Sequence, residues 1–142
     1  MTGAVTDAWA AGFFDADGCV RIGKQRRRRE GRTVYALRAI VAQSADECPE
    51  TLLALQSEFG GSLSSSPDRR RGNRKPKWEW LLASRKAERF LRRIFPYVVG
   101  KREQVRLALE YRERAMGPGK DDLRERYYQR ISALKNYHRR AA

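Results

Sequence analysis

Apolar residues are spaced along this chain in two rhythms, helical and extended, and the rhythm changes several times. The stretch from Asp7 to Asp17, with Thr6 or Asp7 able to cap it and Gly18 to stop it, predicts a short helix. Val20 to Arg29 and Thr33 to Gln43 alternate apolar with polar residues, as strands do. Glu30-Gly31-Arg32 between them is turn chemistry, so a hairpin is expected. Helical spacing returns with Leu52, Leu53, Leu55 and Phe59, with Asp46 as the expected cap, Pro49 in the first turn and Gly60-Gly61 as the end. Ser62 to Ser66 and Lys77 to Ala83 read as a second pair of strands, joined by a basic loop from Pro67 to Pro76. A helix follows from about Arg85 to Phe95, capped by Ser84, and after Pro96 another from about Lys101 to Met116. Gly117-Pro118-Gly119 breaks the chain before a last amphipathic helix, about Asp121 to Arg139, that buries Leu123, Tyr127, Ile131 and Leu134.

This order contains two copies of one α-β-β unit followed by extra helices. It predicts an α+β fold with a four-stranded antiparallel sheet, covered by helices on one face and free on the other. Alternation sorts the strand residues between the faces. Val20, Ile22, Tyr35, Leu37, Ala39, Val41, Trp78, Trp80 and Leu82 make the expected core rows. The free face is expected to carry Cys19, Arg21, Gly23, Gln25, Val34, Ala36, Arg38, Ile40, Lys77, Glu79 and Leu81.

Charge decides what that face is for. The 142 residues hold 31 Lys+Arg against 17 Asp+Glu, a net charge of +14. A small basic domain repels itself unless a polyanion neutralises it, so nucleic acid is the expected partner. With 41% hydrophobic and 34% charged residues, the chain is charge-rich for a globular protein yet has apolar residues enough for a core. Arginines crowd both hairpin tips, with Arg26, Arg27, Arg28, Arg29 and Arg32 at one and Arg69, Arg70, Arg71 and Arg74 at the other. Such tips suit phosphates, as does Arg139-Arg140 near the C-terminus, giving affinity without sequence information. On the face itself Arg21 and Arg38 suit guanine, Gln25 adenine, and Glu79 could accept from cytosine N4, with Lys77 beside them. No apolar stretch is long enough to span a membrane. Two cysteines, Cys19 and Cys48, make neither a disulfide framework nor a zinc site, which fits a reducing, intracellular, nucleoid-associated setting. The excess of Arg over Lys fits GC-rich coding in a bacterium or phage.

The first helix carries the most specific pattern, Trp9-Ala10-Ala11-Gly12-Phe13-Phe14-Asp15-Ala16-Asp17-Gly18. Ala8, Ala11, Gly12 and Asp15 fall at i, i+3, i+4 and i+7, so one face is expected to be small enough for a second helix to approach closely. Trp9, Phe13 and Phe14 are then expected to point into the core. Asp17 stands at the helix C-terminus, where the dipole disfavours a carboxylate and a bound divalent cation would compensate. The segment resembles the LAGLIDADG motif of the homing endonucleases, with Ala10 where that family usually has Leu.

The resemblance implies more than the residues show by themselves. It implies an αββαββα fold with a core over about 7–115 and a C-terminal helical extension over 120–142, all within one domain. One copy of the motif implies a homodimer, with two such helices packed at a twofold axis and each final Asp in a shared active site. Asp17 would then bind Mg²⁺, or another divalent cation such as Mn²⁺, with the Gly18 carbonyl nearby. Asp15 would be structural, capping the partner helix. Gln43, at the end of the second strand, would help to place water. Lys101, with Arg102 as its rival, would stand near the scissile phosphate. The implied activity is double-strand cleavage of a near-palindromic site of roughly 20 bp, because a ten-residue strand spans about ten base pairs per subunit. A non-enzymatic DNA-binding regulator and an intron-RNA maturase remain open on the same scaffold. A restriction-type nuclease built on Pro67-Asp68 and Glu79 lacks the lysine expected two residues on, where Leu81 stands.

Overall fold

A computed structural model describes residues 5–67 and 75–141, with side chains as far as Lys135. Helix α1 (Asp7–Asp17) runs without a loop into β1 (Gly18–Arg27), which pairs with β2 (Arg32–Ser44). Helix α2 (Glu50–Phe59), β3 (Ser62–Ser66), β4 (Lys77–Ala83) and α3 (Ser84–Ile94) repeat the scheme. A 3₁₀ turn (Phe95–Tyr97), α4 (Arg102–Arg114) and α5 (Asp121–Ala141) complete the chain. The sheet is antiparallel throughout, in the order β1-β2-β4-β3. The expected α+β architecture is therefore the one observed. Among the described residues no helix is long and apolar enough to cross a membrane.

Local chemistry sets the junctions. Thr6 accepts the Trp9 N–H through Oγ1 at 3.0 Å and so caps α1. At the other end the Gly18 N–H donates to the Phe14 carbonyl. A Cβ on Gly18 would lie 2.6 Å from that carbonyl oxygen, so the helix can pass straight into a strand only through glycine. Gly61 is equally constrained: it has φ +94°, and a Cβ there would stand 2.6 Å from the Leu81 carbonyl oxygen.

Two expected caps are displaced. Helix α2 begins after Pro49, whose fixed φ of −60° ends the extended segment, while Asp46 lies in the bend before it and caps nothing. Ser84 is the first residue of α3 rather than its cap, and takes φ +53° because β4 turns into α3 with no connecting loop. The first hairpin turn spans 28–31, so Arg29 sits in the turn and Arg32 opens β2.

All the helices lie on one side of the sheet. Val20, Ile22, Leu37, Ala39, Val41, Trp80 and Leu82 are buried from the strands, with Tyr35 and Trp78 packed at the margin. Phe90 of α3 is the centre of the core, with ring centroids 5.1 Å from Trp80, 4.7 Å from Phe59 and 5.5 Å from Phe14. Burying one such side chain contributes roughly 1.5–3 kcal/mol. Tyr127 and Ile131 of α5 are buried in the same cluster, and Leu123 and Leu134 are partly buried against it. The basic loop over 68–74, with Arg70, lies outside the described residues, as does the side chain of Arg139.

Candidate nucleic-acid interface and metal site

The register places the predicted contact residues of the strands on one surface. Arg21 stands opposite Arg38, Gln25 opposite Val34 and Arg27 opposite Arg32. Glu79 and Lys77 stand opposite Ala42 and Ser44. A period of two puts all of these on the face away from the helices. β3 adds Ser62, Ser64 and Ser66, opposite Leu81, Glu79 and Lys77. Like charges directly opposite each other destabilise a sheet. The Arg27–Arg32 pair is relieved by Glu30, whose carboxylate lies 2.8 Å from Arg32 and 4.0 Å from Arg27. Arg21 and Arg38 stand opposite each other, and among the described residues no carboxylate forms an ion pair with either. Gly23 leaves room for the Arg38 guanidinium, whose Nε would meet a Cβ there at 3.0 Å. Ile40, on the same face, is only 6% exposed because Cys19 and Leu81 flank it in its row.

At the end of α1 three distant segments converge. Asp17 is exposed there, and the Gln43 amide nitrogen donates to its Oδ2 at 3.4 Å. Gln43 in turn accepts the Thr51 hydroxyl at 2.8 Å. Lys101 Nζ donates to the Asp15 carbonyl oxygen at 2.6 Å, satisfying an orphan carbonyl of the last turn and opposing the negative end of the helix dipole. Arg102, the rival, stacks on Phe95 at 4.4 Å and donates to the Phe95 carbonyl. Asp15 is committed within its own chain: its carboxylate accepts the Val99 N–H at 2.8 Å and the Lys101 N–H at 3.0 Å. Among the described residues no three His, Cys, Asp or Glu side chains gather into a metal-binding group. With Asp15 occupied, one chain brings a single free carboxylate, Asp17, to this place, with the Gly18 backbone next to it in sequence.

The outward face of α1 differs from the one expected. Ala10, Ala11 and Phe14 are the buried residues of the helix, and Ala11 is 0% exposed, so it belongs to the core of its own chain. Trp9 does not point into the core: it is 40% exposed and stacks on the half-buried Phe13, with centroids 5.4 Å apart. The exposed stripe is thus Ala8, Trp9, Gly12 and Ala16, apolar along its length, with the half-buried Phe13 at its edge. A Cβ on Gly12 would meet nothing within 4 Å, so nothing in its own chain requires glycine there.

A strut beneath the first hairpin joins the sheet to α5. Glu125 accepts from Lys24 Nζ at 2.5 Å and from the Tyr35 hydroxyl at 2.8 Å, and Lys24 also lies over the Tyr128 ring. The Lys24 hydrogen bond, reinforced by that of Tyr35, holds the Glu125 carboxyl below its ordinary range. Burial, then the Glu125 hydrogen bond and charge, push the Tyr35 phenol up to about 12. The folded protein therefore holds this proton more tightly than the unfolded chain, whose tyrosines ionise near 10. The resulting stabilisation is complete below that point and is lost as pH rises toward 12. Urea midpoints between these pH values should fall more steeply for the wild type than for Tyr35→Phe.

Neither this strut nor the Thr51 contact had a local signal in the sequence, since the partners lie in different elements and far apart along the chain. The outward serines of β3, Ser62, Ser64 and Ser66, did have one, in their spacing of two about Leu63.

No family model matches the sequence, and no curated protein is significantly similar to it. Solved structures match it in shape. The homing endonuclease I-CvuI, crystallised with an I-CreI target and Mg, superposes with a TM-score of 0.71 at 24% identity, over 90% of this chain and 80% of that one. The homing endonuclease I-TnaI gives a TM-score of 0.60 at 20% identity, over 91% and 99% of the two chains. The LAGLIDADG meganuclease I-CpaMI, bound to uncleaved DNA, gives 0.61 at 18% identity, over 77% of this chain and 37% of that one. The fold is that of the LAGLIDADG homing endonucleases.

Proposed function

We propose that this chain is a sequence-specific homing endonuclease that cuts both strands of a near-palindromic DNA site, as a homodimer with Mg²⁺ or a similar divalent cation. The observation that carries the reading is an exposed carboxylate, Asp17, at the junction of α1 with a one-sided basic sheet, with Gln43 bonded to it and Lys101 held at the same helix end. Binding alone gains nothing from a carboxylate near phosphates.

The donor set fits a hard cation, which prefers carboxylate, carbonyl and water oxygens. Asp17 and the Gly18 carbonyl would hold it, and when bound it would polarise the phosphate and make a water more acidic. A second copy of the chain would bring a second Asp17, supplying the carboxylate that one chain lacks. The apolar stripe around Gly12 supports the same dimer, since small residues let helices approach closely. The ammonium of Lys101 uses one proton on the Asp15 carbonyl and keeps others for negative charge developing on the phosphate. Hydrolysis breaks one phosphodiester bond in each strand as water adds to phosphorus.

Recognition falls to the free face, laid as a β-ribbon in the major groove. β1 has 10 residues, so it spans about 33 Å, or about ten base pairs per subunit. Arg21, Arg38, Gln25 and Glu79 would read base edges, and Arg27, Arg29, Arg32 and Lys77 would hold phosphates. For Arg38→Ala the cleavage-site profile should relax at one position in each half-site, by about 1–3 kcal/mol of discrimination. An unchanged profile would mean that the reading face is misassigned.

The test of the whole reading is cleavage selection from a randomised duplex library in Mg²⁺, followed by sequencing of the cut ends. Ends that converge on one long near-palindrome support it. DNA that is bound and never cut would turn the reading to a regulator, or to a maturase if intron RNA is bound instead.

A further inference from the structure

We propose that Thr51 is a positioning residue that anchors the Gln43 side chain, so that its amide N–H is held facing the Asp17 carboxylate. The inference deepens the function proposed above and rests on it for its catalytic consequence. Three elements make the arrangement. Gln43 lies near the end of β2, Asp17 closes α1, and Thr51 stands in the first turn of α2. The Thr51 hydroxyl donates to Gln43 Oε1 at 2.8 Å, and Gln43 Nε2 donates to Asp17 Oδ2 at 3.4 Å.

An amide side chain carries an acceptor oxygen on one side and a donor NH₂ on the other. Turning it over exchanges the two, and the surroundings decide which orientation holds. Here the oxygen is committed to a hydroxyl that can donate. A hydroxyl can donate or accept, so Thr51 anchors the amide, while the Asp17 carboxylate, which only accepts, draws the NH₂ side toward itself. Threonine is β-branched and stiff at χ1, and its backbone is held by α2, so the anchor stays in place. The NH₂ group is what remains for Asp17 and for any water or phosphate oxygen beside it. In this arrangement Oε1 is taken up by Thr51 and the NH₂ group is the part of Gln43 that faces the site. It can hold the carboxylate and donate to negative charge that develops beside it.

Thr51→Val keeps the branched shape and removes the hydroxyl, leaving a part-buried oxygen without its donor. Thr51→Ser keeps the hydroxyl. In the metal-free protein, the Gln43 side-chain NH₂ signals in ¹⁵N–¹H spectra should be separated and slow to exchange in the wild type and in Thr51→Ser. In Thr51→Val they should move toward those of a free amide. With DNA and Mg²⁺ present, the single-turnover cleavage rate of Thr51→Val should fall by about 10–100-fold, the usual scale for an outer partner of a metal site. Its DNA affinity should not change, and Thr51→Ser should restore the rate. Wild-type NH₂ signals in Thr51→Val would overturn the proposal, as would wild-type cleavage by that variant. So would equal slowing of both variants, which would mark a packing role only. If the wild type cuts no duplex, the endonuclease reading fails, while the NH₂ signals still decide whether Thr51 anchors the Gln43 side chain.

Discussion

Asp17→Asn is expected to abolish cleavage and to leave DNA binding intact. Asp17 is exposed at the end of α1, and no packing depends on its charge. An asparagine there can still accept the Gln43 N–H, so the local structure should persist. What the substitution removes is the one free carboxylate that each chain brings to the site. A cation held by oxygen ligands loses its main charge partner. The loss in rate should go well beyond the ~10–100-fold carried by outer partners of metal sites. Neutralising a negative charge near phosphates also lowers repulsion, so affinity for a fixed duplex should be equal or slightly tighter in a gel-shift titration. Wild-type cutting by the variant would remove Asp17 from the chemistry. Loss of binding alongside loss of cutting would give Asp17 a structural role instead.

The second large effect is expected at Gly12. A side chain at this position meets nothing within 4 Å in its own chain, so Gly12→Leu should fold with an unchanged or slightly raised urea midpoint. Between two copies the same side chain would hold the α1 helices apart. Overfilling a packed contact costs about 1–3 kcal/mol, and a twofold interface repeats the cost, giving roughly 2–6 kcal/mol for the pair. Sedimentation should show a dimer for the wild type and a monomer for the variant at the same concentration. A dimer of Gly12→Leu would place the interface elsewhere. Cleavage should vanish with the dimer, because a lone chain then presents a single Asp17. The stacked Trp9 and Phe13 beside Gly12 make this stripe the largest apolar part of the helix left uncovered.

Asp15 shows why a motif does not settle its own roles. The resemblance makes the earlier aspartate a cap for the partner helix, yet its two carboxylate oxygens accept N–H groups from Val99 and Lys101 of the same chain. That contact also brings Lys101 to the end of α1, where its ammonium meets the Asp15 carbonyl. The placement of Lys101 thus depends on a residue 86 positions away in the chain.

Sequence alone determined the element order, the sheet faces, the basic character of the free face and the location of Asp17. These follow from periodicity and charge, which are local properties: alternation in β1 and β2 assigns each side chain to a face whatever the strands pack against. Tertiary structure decided the rest. Helix α1 has apolar residues on nearly every side, so its own spacing could not say whether Ala11 or Phe13 turns inward. Packing on Phe90 decided that, placing Ala10, Ala11 and Phe14 inside, Phe13 partly buried at the margin, and Trp9 and Gly12 outside. Asp46 and Ser84 are good caps by type, but Pro49 set the start of α2 and the direct turn from β4 set the start of α3. The bond from Thr51 to Gln43 forms only when α2 folds back beside the end of β2, because a hydrogen bond needs a partner in space and the chain order carries no distance.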